Sequence, residues 1–568
     1  MPSLPKIRIE ITIALLLGFI LGLGLLGLTL WKDHLDQDYY FQTSQVLKSE
    51  LVLIDKNNLG LSSTSNVSAF YQFHHHRLLW SDALGLKPSA REFINTIENA
   101  LTFGLIPESY HYRKIKKLYS PRDLDYSSAV KLDWLLTDAY LQFALHLEFS
   151  KLDPQTNQIR SAVPTANQKV LFKHLEWAVQ KNKILESLEV LEPQNQLYTQ
   201  LKKSYQHYLA LYQKRVWRPI SEDLILENPP SRRALQQLRK RLVELGDLPD
   251  LVGPFLPDGE LNDGLIRFKK RHGLEANAEI DFQTLIELNQ SLESRIRQMQ
   301  INLDRMRQLS PKNDKRYLFI NIASFEVVIK EYDHKKLIIP AIVGKLYRKT
   351  PSFRAELHQV VLNPTWKVPH SIASEDILNI IKEDPEYLIR QKYQVFNSWN
   401  EKARPLDISK IDWQKLDKDH FPYRLEQKPG PQNLLGHYIF LLPNAYDIYL
   451  HDTPSSNYAL FKERIRTFSS GCIRLEQPKL LAEYFLGPMG WTPEKIDRVI
   501  ETGKETKIDL YRAFPVYVVY LTSWDDPDQG VQFREDIYGN DLDYEKVFFN
   551  DASLQTPSLN VGDRMQNK

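Results

Sequence analysis

At 568 residues and 66.5 kDa the chain is too long for one hydrophobic core, and its length predicts three or four domains. Its 73 Lys and Arg against 71 Asp and Glu leave a formal charge of +2. No long basic run offers a stripe for phosphates, which argues against nucleic acid as the main partner. A single cysteine excludes an intrachain disulfide framework, so cysteine count does not fix the compartment.

The first element is apolar. Ile11 to Leu30 is a run of 20 residues without charge, about 30 Å long as a helix and enough to cross a bilayer. Lys6 and Arg8 precede it; Asp33, Asp36 and Asp38 follow it, with Lys32 the only strong base nearby. The positive-inside rule then places residues 1–10 in the cytoplasm and everything after Trp31 outside. A cleaved signal peptide is the alternative, but its apolar core is normally shorter and its exit carries small residues, unlike Gly27-Leu28-Thr29-Leu30-Trp31. The expectation is a retained anchor over 11–31. Gly18 and Gly22 form a GxxxG pair within it.

Residues 40–230 read as mainly helical. Leu132, Leu135, Leu136, Ala139, Tyr140 and Phe143 recur at helical spacing and turn one apolar stripe toward a core, with Asp133, Asp138 and Gln142 on other faces. His74-His75-His76 invites a metal reading, yet three adjacent residues cannot all point one way on a helix or strand, so a surface cluster is expected. Asn228-Pro229-Pro230 marks a boundary.

Residues 231–290 read as three short helices. Leu235, Leu238, Leu242 and Leu245 form the first, stopped by Gly246; Leu261, Leu265 and Phe268 the second; Thr284, Leu285 and Leu288 the third. The stretch Leu261 to Leu274, with Phe268 and His272-Gly273-Leu274, resembles the peptidoglycan-binding domain of type 1. Its alternative reading is a helical spacer.

After a helical connector at 291–309 the period shifts toward 2. Tyr317–Ile322, Phe325–Tyr332, Leu337–Val343, His358–Leu362, Tyr438–Leu442 and Tyr446–Leu450 read as strands. Between Trp366 and Gly436 lie helix-like segments, which suggests an inserted cap over a site. Residues 540–568 are polar and mostly lack periodicity, so a flexible tail is expected.

The chemistry converges on Ser469-Ser470-Gly471-Cys472-Ile473-Arg474. Cys472 sits beside glycine in a polar loop ahead of a helix that starts at Pro478. A thiol needs a base and positive potential to become a nucleophile. His451, at a strand end and on the same side as Tyr449, is the candidate base and later acid. Arg474 supplies the positive potential and a grip for a substrate carboxylate. The backbone at Ser470 and Gly471 is placed to steady an oxyanion, and Asp452 to orient or to bind an amine. No set of ligands near Cys472 has metal-binding spacing.

These residues carry a resemblance. His451-Asp452-Thr453-Pro454 followed by Ser469 to Arg474 is similar to the active-site signature of the L,D-transpeptidase (YkuD-type) family. Val343-Gly344-Lys345, Thr350-Pro351, Asn363 to Pro369, Pro429-Gly430, Asn433 to Gly436 and Asp536-Ile537-Tyr538-Gly539 resemble the large Gram-negative YcbB-like subgroup, in which Ser470 stands where many members have His. Beyond the expected transmembrane helix, the resemblance implies a multidomain α+β chain: a helical scaffold domain over 40–230, a peptidoglycan-binding-like module over 231–290, and a β-rich catalytic domain over 310–530. It implies a helical capping subdomain inserted at about 367–435.

It also implies an inner-membrane, single-pass protein with a periplasmic catalytic domain and no metal or other cofactor. The implied reaction joins peptidoglycan stem peptides into 3–3 cross-links through a thioester on Cys472, with release of D-Ala. Acylation by carbapenems is expected with it. Tyr449, Asn363 and Trp366 are candidates for lining the cleft. Water as acceptor would give an L,D-carboxypeptidase instead, and loss of chemistry a peptidoglycan-binding scaffold.

Overall fold

The computed structural model describes residues 28–549 apart from 50–58, 120–124, 154–157, 162, 215–216, 227–229, 250–257, 310, 312–313, 333 and 401. Most of the expected anchor over 11–31 lies outside the described residues, as do 1–10 and 550–568. Among the described residues no helix is long and apolar enough to cross a membrane. The chain divides into two compact units. One holds the residues up to Gln194 with Met306–Gln308 and Tyr544 onward; the other holds Asn195–Arg305 and Leu309–Asp543.

The first unit is helical and wraps the helix Tyr126–Phe149, which Asp125 caps by accepting from Ser128 N at 2.7 Å. The apolar stripe on this helix packs Tyr140 and Phe143 against Phe93, and Phe93 stacks on Trp80 at 5.3 Å. Its other faces are buried too: Asp133, Asp138 and Gln142 are at most 1 % exposed. Asp133 accepts from Leu79 N at 2.9 Å, from Trp80 N at 2.8 Å and from the Tyr71 hydroxyl. Asp138 accepts from Ser62 N and Ser63 N and lies 2.6 Å from His111 Nε2. These carboxylates replace water for amides at chain turns, which is how a charged group survives inside a core. His74 of the triple histidine meets Glu176 at 2.5 Å.

Two boundaries differ from the sequence reading. The helical scaffold does not run to 230 as one body. The helix Gln196–Gln213 belongs to the second unit, where Tyr208 packs 5.7 Å from Phe533. Ile220 and Leu224 join the core of the following three-helix module. The tail is not uniformly flexible either: Asn540–Phe548 is a helix, and Phe548 is fully buried with Ile106 and Leu152. Phe548 and Phe549 supply apolar surface that the polar average of the tail conceals.

In the second unit, helices Arg232–Glu244, Asp258–Arg271 and Phe282–Asn289 bury Leu238, Leu242, Leu265, Phe268, Leu285 and Leu288 together. The β-rich body follows. Its strands are β1 (Arg316–Asn321), β2 (Glu326–Glu331), β3 (His334–Gly344), β4 (Phe353–Leu362), β5 (Tyr438–Leu441), β6 (Leu450–His451), β7 (Thr467–Ser469), β8 (Ile473–Leu475) and β9 (Thr506–Val519). They lie in the order β7-β3-β8-β6-β5-β4-β9-β1-β2, and an additional β2–β3 pairing closes the sheet on itself. One face buries Val360, Leu362, Phe440, Leu450, Ile473 and Leu475 against the helix Pro478–Leu486.

The insertion between β4 and β5 has its own core on the opposite face. Trp366, Val368, Ile377, Leu378, Val395 and Leu425 cluster there with Val361 and Ile439, the residues whose side chains leave β4 and β5 away from the main core. It is not wholly helical, because Trp366–Lys367, Arg424–Gln427 and Tyr393–Phe396 form a three-stranded sheet.

Candidate active site

Short strands place the site. The expected strand Tyr446–Leu450 is present only as β6, because Asn444 forms a turn: its Oδ1 accepts from Tyr446 N at 2.9 Å and from Ile448 N at 3.3 Å, and Asp447 takes φ +54. The alternation survives the turn. Ile448 and Leu450 enter the main core, while Tyr449 and His451 face away with ring centroids 5.8 Å apart.

β8 was invisible as a strand, yet it sets the geometry. It runs parallel to β6, pairing Leu450 with Ile473 and His451 with Arg474, and Ile473 N donates to Tyr449 O at 3.1 Å. Paired residues on adjacent strands point the same way. His451 is therefore opposite Arg474 on the face that carries Ile439 and Val361, with Tyr449 on the same face; Cys472, just ahead of β8, lies beside Tyr449 and also packs against the main core. Cys472 directly precedes Ile473 and His451 directly follows Leu450, so thiol and imidazole belong to residues on either side of one cross-strand pair. The insertion core covers this same face, with Tyr449 packed against it.

His451 is 4 % exposed, and its Nδ1 lies 2.6 Å from Asp452 O. A carbonyl only accepts, so Nδ1 carries the proton and Nε2 keeps its lone pair for a base. Burial, reinforced by the Arg474 charge, pushes the imidazole down to about 3. Burial pushes the Cys472 thiol up to about 11, against the pull of Tyr449 and Arg474. At neutral pH the resting pair is therefore thiol and neutral imidazole, with the proton still to move when substrate arrives. Among the described residues Arg474 is the one group of the four that makes no hydrogen bond: its Nε is buried and unbonded, and burial lowers the guanidinium from its usual range, against the pull of Cys472.

The nucleophile loop is tied from below. Ser469 Oγ donates to Cys472 O at 2.5 Å and accepts from Gly471 N at 3.1 Å. Thr350 Oγ1 donates to Gly471 O at 2.7 Å and accepts from Gly344 N, while Tyr538 Oη donates to Gly344 O. Gly471 holds φ +117, a backbone conformation that a Cβ disfavours. The Gly471 amide is thus engaged by Ser469, whereas the amides of Ser470 and Cys472 have no such bond among the described residues. Thr350, Ser469 and Tyr538 were not assigned roles from the sequence, although Thr350-Pro351 and Asp536 to Gly539 stood out as family-like stretches.

Three cleft candidates turn out to support rather than line the site. The Asp452 carboxylate is buried and accepts from His437 N at 2.8 Å, Thr453 N at 2.6 Å and Tyr458 Oη at 3.3 Å. Its carbonyl, not its carboxylate, orients His451. Gly436 leaves it room, since a Cβ there would stand 2.4 Å from Asp452 Cγ. Asn363 is 1 % exposed and donates to Val499 O and Ile500 O at the end of the helix Pro493–Glu501. Trp366 is buried in the insertion core beside Tyr449, with its Nε1 lacking a well-formed hydrogen bond. Among the described residues no three His, Cys, Asp or Glu side chains are grouped so as to hold a metal ion.

Comparison with known proteins agrees with this geometry. Residues 65–204 match the family described as the scaffold domain, and residues 315–506 match the L,D-transpeptidase catalytic domain, YkuD. A Haemophilus influenzae protein named "Putative L,D-transpeptidase" is 36 % identical over 226 residues, 39 % of this chain and 44 % of that protein. The chain thus aligns with less than half the length of this relative. With its nucleophile loop, histidine strand and every strand of the sheet but β9 inside the matched region, residues 315–506 are an L,D-transpeptidase catalytic domain of the YkuD family, preceded in the chain by a scaffold domain.

Proposed function

We propose that the protein forms 3–3 cross-links in peptidoglycan through an acyl-enzyme on Cys472, from an inner-membrane anchor at 11–31 with the catalytic domain in the periplasm. The observation that supports this reading is the β6–β8 register, which brings His451 opposite Arg474 and leaves Cys472 one residue ahead of Ile473.

In the first half-reaction the Cys472 thiol gives its proton to His451 Nε2. Sulfur then bonds to the carbonyl carbon at the L-centre of the donor's diaminopimelate. Amides of the 470–472 loop steady the oxyanion; those of Ser470 and Cys472 are available at once, and Gly471 would have to release Ser469. The C–N bond to D-Ala breaks as imidazolium protonates the leaving amine, and a thioester remains. Arg474, lacking a protein carboxylate, is suited to hold one from the substrate. In the second half-reaction the side-chain amine of another stem attacks the thioester. It loses its proton to His451, and the thiol is restored.

Water in place of that amine gives a carboxypeptidase. Incubating the purified protein with disaccharide-tetrapeptides and reading products by mass spectrometry tests the reading. Cross-linked dimers support it, trimmed monomers point to hydrolysis, and an absence of both rejects it. A carbapenem adduct is expected on wild type and absent from Cys472→Ala.

A further inference from the structure

We propose that Arg348 is a positioning residue that latches the inserted cap to the nucleophile loop, so that cap closure and placement of Cys472 are one event. This rests on the reading of Cys472 as the nucleophile. The turn after β3 holds Arg348, whose N donates to Lys345 O at 2.9 Å. The same turn grips the nucleophile loop by its backbone, with Lys345 N donating to Ser469 O at 2.9 Å and Thr350 Oγ1 to Gly471 O at 2.7 Å.

The Arg348 side chain reaches three groups. Its Nη2 donates to Glu375 Oε2 at 2.7 Å, its Nη1 to Asp376 Oδ2, and its Nη1 lies 3.4 Å from Ser470 Oγ. Glu375 and Asp376 lie in Ile372–Ile377, a π-helical turn at the start of the cap's helical segment. Such turns distort a helix at some cost and recur at functional sites. A guanidinium fork suits this task, since its planar donors serve two carboxylates and a hydroxyl at once, as a lysine ammonium cannot.

The Arg348 side chain is 18 % exposed, whereas the two carboxylates are 50 % and 42 % exposed. Half-exposed ion pairs of this kind are weak and screened by salt. The latch can therefore open for each donor and close again, which a buried pair would resist.

The experiment uses the single thiol of the full-length protein. Iodoacetamide labelling of Cys472 is followed by mass spectrometry at low and high NaCl in wild type, Arg348→Lys and Glu375→Gln/Asp376→Asn. Kinetics with a tetrapeptide donor are run in parallel. Loosening two exposed ion pairs should speed labelling about three- to tenfold. Wild-type labelling should quicken with salt; that of the double variant should be fast and nearly independent of salt, and Arg348→Lys should fall between. In the donor assay kcat/KM should fall with most of the change in KM. Equal labelling rates and equal salt dependence in wild type and double variant would overturn the latch. Failure of cross-linking alongside the expected labelling pattern would reject the transpeptidase reading and leave the latch standing.

Discussion

The scaffold helix Tyr126–Phe149 and the catalytic face of β6 and β8 both bury charge, and they treat it in opposite ways. In the scaffold, Asp133 and Asp138 each meet backbone amides and a side-chain donor, so both carboxylates are matched. On the catalytic face, among the described residues, Arg474 has no carboxylate partner, His451 bonds only through Nδ1, and Cys472 meets Tyr449 and, at 3.8 Å, Asp447 O. Buried polar groups are ordinarily hydrogen-bonded, and a structure that leaves them unmatched is holding places for another molecule. Charge serves stability in one region and reactivity in the other.

That contrast can be broken by substitution. Cys472→Ala should bring donor turnover to background while the melting temperature stays within a few degrees, read by calorimetry and product analysis. His451→Ala should cost about 10²–10⁴-fold in acylation rate, the usual reach of a positioned base. Asp133→Ala should leave the Cys472 chemistry untouched but orphan two amides and a hydroxyl, at roughly 1–3 kcal/mol for each buried donor left unmet. Denaturant unfolding of the full chain would reveal it.

Arg474→Met should lower donor kcat/KM by about 1.5–3 kcal/mol, the size of a charged hydrogen bond. It should also keep or raise stability, because it removes a partly buried charge whose buried Nε is unbonded. Loss of stability in this variant would mean that the cation is structural after all, and the contrast would fail.

The smallest effect concerns pH. The imidazole titrates near 3 when folded and near 6.5 when unfolded, so the unfolded chain binds more protons between those values. His451 therefore subtracts stability as pH falls from about 6.5 toward 3, and His451→Ala should flatten that part of the profile. The thiol works the other way. Its folded value near 11 lies above the usual 9.0, so stability is lost as pH rises through that window, and alkylation of wild type should still be climbing above pH 9. In Arg474→Met that climb should move to still higher pH.

The amino-acid order by itself pointed to Cys472 and His451 as the candidate reactive pair and marked the helical and β-rich parts of the chain. A lone cysteine among Ser, Gly and Arg, a histidine at the end of an alternating segment, leucines at helical spacing and a 70-residue interruption of the strand pattern are all local signals. What only tertiary structure decided was which groups are left unmatched. β8 spans three residues and β6 two, too short for any periodicity to register, yet their pairing is what aligns His451 with Arg474. Asn363 and Asp452 look like site residues in the sequence; they become supports because helix-end carbonyls 136 and 137 residues away and a loop amide 15 residues away reach them first. Whether a polar side chain serves the fold or the chemistry depends on its neighbours in space, and those are assigned only when the sheet closes.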